Sequence, residues 1–204
     1  MHDNSRRIFL EFARSYFAPG QRVLEIGPDD SPSTYRRLID VTPLRWETLD
    51  LAADTTIVPG RDLDHLTSSE IEFPLASDQF DIVLSGQVIE HVRRPWRWLP
   101  ECARVCKPGG WVITICPVSW PYHEAPIDCW RMYPEGLRAL YEDAGLVIEQ
   151  VTTASLAPMP SLLPHRWFLA KQAVKALCGR EPFLAPLAVD ARPVVDSVAI
   201  GRKP

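Results

Sequence analysis

Two short apolar runs, each ending in an acid, constrain this chain more than any other feature. Arg22-Val23-Leu24-Glu25-Ile26-Gly27 ends in a glycine that can open a tight turn, and Trp46-Glu47-Thr48-Leu49-Asp50 follows one βαβ repeat later. Runs this short, bounded by turn residues, read as buried parallel strands. Open α/β sheets bind ligands beyond the carboxyl ends of their strands. Glu25 and Gly27 therefore stand at the mouth of a nucleotide-type site, and Asp50 is spaced to meet a ribose diol.

The remaining pattern alternates in the same way. Asp3-Asn4-Ser5 can cap a helix carrying Ile8, Phe9, Phe12, Ala13, Tyr16 and Phe17, which Pro19-Gly20 ends. A helix near 33–40 follows the first strand, with Ser31 or Ser33 as cap. Thr56-Ile57-Val58 reads as a short third strand before Asp62 and a polar connection. Phe80-Asp81-Ile82-Val83-Leu84-Ser85 is apolar enough for a central strand. A helix from about 95 to 106 places Trp98, Leu99, Cys102 and Val105 on one stripe, and Pro108-Gly109-Gly110 stops it. A strand at 111–116, a helix at 134–144 and a strand at 146–152 come next. Residues 154–193 read as an insertion holding one helix at 162–178, suited to a lid or a homodimer contact. Val194–Ile200 closes the sheet and, lacking a crossover helix, is expected to run antiparallel. The fold class is a doubly wound, mostly parallel, seven-stranded Rossmann-like sheet in a single domain.

Composition narrows the partners. A formal charge of −4 and a pI near 5.7 argue against binding through nucleic-acid phosphates. The apolar runs are too short for a membrane span, and the amino end has no signal-peptide core. Five cysteines without a CxxC pair suit a reduced, cytoplasmic setting. Cys102 and Cys106 lie one helical turn apart and read as packing residues rather than metal ligands. Only four of the 22 basic residues are lysine, an associational pointer to a GC-rich bacterial genome.

The chain resembles the class I S-adenosylmethionine-dependent methyltransferases. The likeness covers roughly residues 20–150 and the last strand. It rests on Val23-Leu24-Glu25-Ile26-Gly27, Asp50, Phe80-Asp81-Ile82-Val83, Glu90-His91-Val92 and Arg104-Val105-Cys106-Lys107-Pro108-Gly109-Gly110. The resemblance implies that Glu25 and Gly27 line the methionine end of the cofactor. It also implies that Asp50 and Leu51 meet the ribose, that Asp62 sits beside the adenine amine, and that Gly86 and Gln87 face the sulfonium. Asp81 reads as structural. The sequence Gly27-Pro28-Asp29-Asp30-Ser31-Pro32 departs from the family, whose loop has further glycines. A sulfonium donor has no pyrophosphate to bring the backbone close, so the departure is tolerable.

The loop from Trp120 to Arg131 resembles a segment of methyltransferases from bacterial glycan and natural-product pathways. His123 is the expected base, with Asp128 as its hydrogen-bond partner and His91 nearby. Trp120, Tyr122, Trp130 and Arg131 are expected to meet the acceptor. Glu90 and His91, with His123, resemble the Glu-His metal ligands of some O-methyltransferases, although Gln87 replaces the first acid. A divalent metal there would lower a hydroxyl pKa. The expected activity is O-methylation of a saccharide or related small molecule. The alternatives are an N- or C-methyltransferase and a non-catalytic cofactor-binding scaffold.

Overall fold

The computed structural model describes residues 2–52, 62–124, 127–156 and 195–204. Its strands are β1 (Arg22–Ile26), β2 (Arg45–Leu51), β3 (His65–Thr67), β4 (Phe80–Gly86), β5 (Cys106–Pro117), β6 (Val147–Ala154) and β7 (Asp196–Arg202). They form one seven-stranded sheet in the order β3-β2-β1-β4-β5-β7-β6. β1 to β5 pair in parallel, and β7 runs antiparallel between β5 and β6, as its missing crossover helix requires. The doubly wound α/β sheet anticipated from the strand pattern is the observed architecture.

Both faces of the sheet are buried, so consecutive strand residues enter different cores. Leu24 and Val83 join Trp98, Leu99, Leu137 and Tyr141 from α3 (Pro95–Val105) and α4 (Pro134–Asp143). Val23, Ile82 and Leu84 face the other way, against Ile8, Phe9, Phe17 and Tyr35. Tyr35 belongs to α2 (Thr34–Leu38), where Ser33 accepts a hydrogen bond from the Arg36 amide as N-cap.

Four boundaries differ from expectation. α1 (Asp3–Ile8) starts without a side-chain cap, because Asp3, Asn4 and Ser5 lie inside its first turn and His2 precedes it. The helix then loosens into a π turn over Phe9–Ala13. β5 begins at Cys106, before Pro108-Gly109-Gly110, and its pairing with β4 shifts register between Phe80 and Ile82. A strand occupies His65–Thr67, where a polar connection was expected. The expected strand at 56–58 lies outside the described residues, as does nearly all of the 154–193 insertion.

The amino ends of the strands are tied by charge. Glu47 accepts from Arg22 at 2.7 and 3.0 Å, from Arg45 at 2.7 Å and from His65 at 2.8 Å. Arg22 also donates to Gln79, and its amide to Asp81, whose other oxygen takes Lys107 at 2.8 Å. The Arg22 guanidinium holds the Glu47 carboxyl down at about 2. Every link in this lattice lies at the pole opposite the strand tips where ligands bind.

Candidate functional site

At the carboxyl ends of β1 and β2 lies a cavity of about 220 Å3. Gly27, Pro28, Asp50 and Leu51 form one side, Thr67, Ser69 and Glu70 another, and Phe73, Val88, Val92, Trp98 and Ile127 give it an apolar interior. Gly27 has a φ of 67°, and its amide donates to Leu49. A Cβ there would meet Val88 Cγ2 at 2.6 Å, so the strand tip and the loop after β4 close together only because residue 27 is glycine. Asp50 is half-buried, and its Oδ1 takes the Leu51 amide.

Three of the expected cofactor residues line this cavity: Gly27, Asp50 and Leu51. Glu25 does not. Its carboxyl is buried among its own neighbours and takes hydrogen bonds from Ser33 and from Trp46 Nε1. Burial, outweighing those two donors, raises it to about 7. Asp62 is exposed and precedes the third strand rather than following it. The acid that does follow that strand is Glu70, which lines the cavity and accepts from the Arg93 amide at 3.3 Å. The polar sequence around β3 hid this register.

Beyond Val88, Gly86 and Gln87 end β4. Gly86 leaves room for the Tyr35 hydroxyl, which is buried without a hydrogen-bond partner. Burial raises the Tyr35 pKa further above its ordinary value. Gln87 adopts a φ of 60°, a strained value for a residue with a side chain. Its Nε2 donates to Ser5 Oγ at 2.9 Å and to Asp196 Oδ1 at 3.3 Å, and its Oε1 faces His2 Nε2 at 3.1 Å. Asp196 is fully buried and also accepts from Asn4 Nδ2 at 2.6 Å. The His2 ring stacks on Trp120 at 4.7 Å. Neither His2 nor Asp196 was marked by the sequence, because 194 residues separate them and no motif contains either.

The loop after β5 supplies the opposite rim. The His91 and His123 rings meet edge to face at 5.0 Å. His91 Nδ1 donates to the Ile127 carbonyl, and His123 Nδ1 lies 3.2 Å from the Pro121 carbonyl and 3.4 Å from Asp128. Asp128 is claimed by Arg131, which grips both its oxygens at 2.5 and 2.6 Å and holds its pKa down to about 2. Trp130 donates to the Val92 carbonyl and packs on the core, while Tyr122 is exposed and donates to Glu124.

The expected metal set does not form. Among the described residues no three His, Cys, Asp or Glu side chains converge on a point that could hold an ion. Glu90 turns inward: it is fully buried, and neither carboxylate oxygen has a hydrogen-bond partner. His91 Nε2 stays 3.8 Å from it. Burial raises the Glu90 carboxyl to about 8, so it is neutral near pH 7, a poor state for a cation ligand.

Comparison with known proteins agrees with this geometry over part of the chain. A family model described as a methyltransferase domain matches residues 44–114, from β2 into β5. An uncharacterised methyltransferase of Mycobacterium bovis BCG is 48% identical over 54 residues, 26% of this chain and 21% of that protein. The match thus spans about a fifth of that relative's length. The ubiquinone biosynthesis O-methyltransferase of Cereibacter sphaeroides is 30% identical over 121 residues, covering 53% of this chain and 48% of its own. The crystal structure of an S-adenosylmethionine-dependent methyltransferase from Archaeoglobus fulgidus superposes with a TM-score of 0.58 at 15% identity, covering 98% of this chain and 92% of that one. That likeness is one of fold. Among the described residues no helix is long and apolar enough to cross a membrane.

Proposed function

We propose that this chain transfers the methyl group of S-adenosylmethionine to a hydroxyl of a saccharide or related small molecule. The observation that carries this reading is the cavity at the tips of β1 and β2, with Gly27 bare, Asp50 at the lip and an apolar interior. The residues fit the donor. Asp50 would accept from the ribose hydroxyls, and Glu70 and Ser69 would face the adenine edge. Phe73, Val92 and Ile127 would cover its flat faces. When bound, the donor supplies an electrophilic methyl carbon. The chain then has to orient an acceptor, exclude water and take up one proton.

His123 is the rim candidate for that proton, with Nδ1 turned toward Pro121 and Nε2 left to the acceptor. Trp120, partly exposed at the same edge, suits the flat face of a sugar ring. Donor binding is the first test. Calorimetry is expected to show saturable heat with S-adenosylmethionine, and Asp50→Ala to weaken it by about 10- to 100-fold, the loss of hydrogen bonds to a charged group. Absent heat, or unchanged affinity in the variant, would sink the reading. A mass screen of hydroxylated acceptors for a gain of one methyl then tests the substrate class.

A further inference from the structure

The pocket formed by α1, Gln87 and the start of β7 contains a second imidazole whose protonation state is fixed by its surroundings. Asp196 is fully buried and has only acceptor oxygens, so Asn4 and Gln87 must both turn their amide nitrogens toward it. That orientation points Gln87 Oε1 at His2. His2 Nε2 then faces two acceptors, Gln87 Oε1 at 3.1 Å and Asp196 Oδ1 at 3.3 Å, and must carry the ring proton. Nδ1 is left with its lone pair, buried and without a hydrogen-bond partner. The stacked Trp120 ring holds the imidazole plane.

We infer that His2, positioned by Asp196 and Gln87, is the base that takes the proton of the acceptor hydroxyl. This rests on the methyl-transfer reading and departs from it only in moving the base from His123 to His2. Charge balance separates the two. The carboxylate beside His123 is already neutralised by the bidentate Arg131, so it offers little to an imidazolium. Asp196 is met by two neutral amides, and among the described residues no lysine or arginine pairs with it. Its charge remains available to stabilise a protonated His2. The other charged neighbour is Asp3 on the same helix, also an acid. The His2 side chain is also better shielded than that of His123, at 17% against 36% exposed.

The step balances. The acceptor oxygen forms its bond to the methyl carbon as the sulfur–methyl bond breaks, and that electron pair returns to sulfur to leave a neutral thioether. The O–H proton passes to His2 Nδ1 and is later lost to water.

Two measurements test the assignment. In a long-range proton–nitrogen NMR spectrum of the full chain, His2 is expected as the Nε2–H tautomer, with the preference weakened by Asp196→Asn. His2→Gln is expected to lower kcat by about 10^2- to 10^4-fold and to remove the acid limb of its pH profile, with donor heat retained. His123→Ala is expected to keep that limb. An Nδ1–H tautomer, or a His2→Gln variant with kcat within about threefold of the parent, overturns the inference. Absent donor heat in every variant overturns the methyl-transfer reading, and the base assignment with it.

Discussion

Glu90 sits where neither water nor any hydrogen-bond donor reaches it. Its folded-state pKa of about 8 lies above the unfolded carboxyl value, so the folded chain holds a proton that the unfolded chain gives up. Stability therefore falls as pH rises from about 4.5 to 8 and levels off above that. Glu90→Gln keeps the shape of the neutral acid and removes this slope. Thermal melting between pH 5 and 8 is expected to decline less in the variant, the difference reaching a few kcal/mol at the alkaline end. Equal slopes would mean that Glu90 finds a partner in solution. The Glu90-His91 pair was legible as chemistry-bearing in the sequence, but its burial was not. A strand-tip acid that faces solvent and one that faces the core have the same letters around them. Asp50 and Gly27 were readable because their roles follow from strand ends. His2 and Asp196 were not, because only the tertiary fold brings them together.

At the scale of the elements, α4 is held to the sheet by one side chain. The Tyr141 hydroxyl is 2.9 Å from Thr114 Oγ1 and donates toward the Ala199 carbonyl at 3.1 Å, joining α4 to β5 and β7. Its ring occupies the space over Gly201, where a Cβ would lie 2.6 Å from it. Tyr141→Phe keeps the ring and strips the hydroxyl, leaving buried oxygens unsatisfied. The expected cost is about 1–3 kcal/mol in chemical denaturation, with the m-value unchanged. A loss too small to measure would show that Thr114 re-pairs locally. Long apolar strands such as β4 and helices with a clear stripe such as α3 were visible in the sequence, because burial on both faces leaves no room for polar residues. β3 was not, since a three-residue edge strand containing His65 and Thr67 needs no such run. The capping expectation for α1 failed because Asn4 is spent elsewhere: its amide ties the helix to Asp196 and to the Ala154 carbonyl, and its oxygen takes the Leu156 amide.

Over the whole molecule, the sheet separates two kinds of chemistry. The Arg22–Glu47–His65 lattice fastens the amino ends, and the cavity opens at the carboxyl ends. Glu47 is ionised at all ordinary pH values, and its contribution, present above about 4.5, is lost as pH falls through about 2. Glu47→Gln leaves Arg22 and Arg45 without their counterion and is expected to destabilise the fold by about 2–3 kcal/mol. The folded fraction should still bind S-adenosylmethionine with an affinity within about twofold of the parent, because no lattice residue lines the cavity. A large loss of affinity would show that the strands transmit change along their length. Directed evolution can therefore treat the two poles as separate libraries. Substitutions that toughen the protein against heat or acid belong around Glu47, and those that retarget it to a new acceptor can be confined to the strand tips, so that gains on one side need not be surrendered on the other.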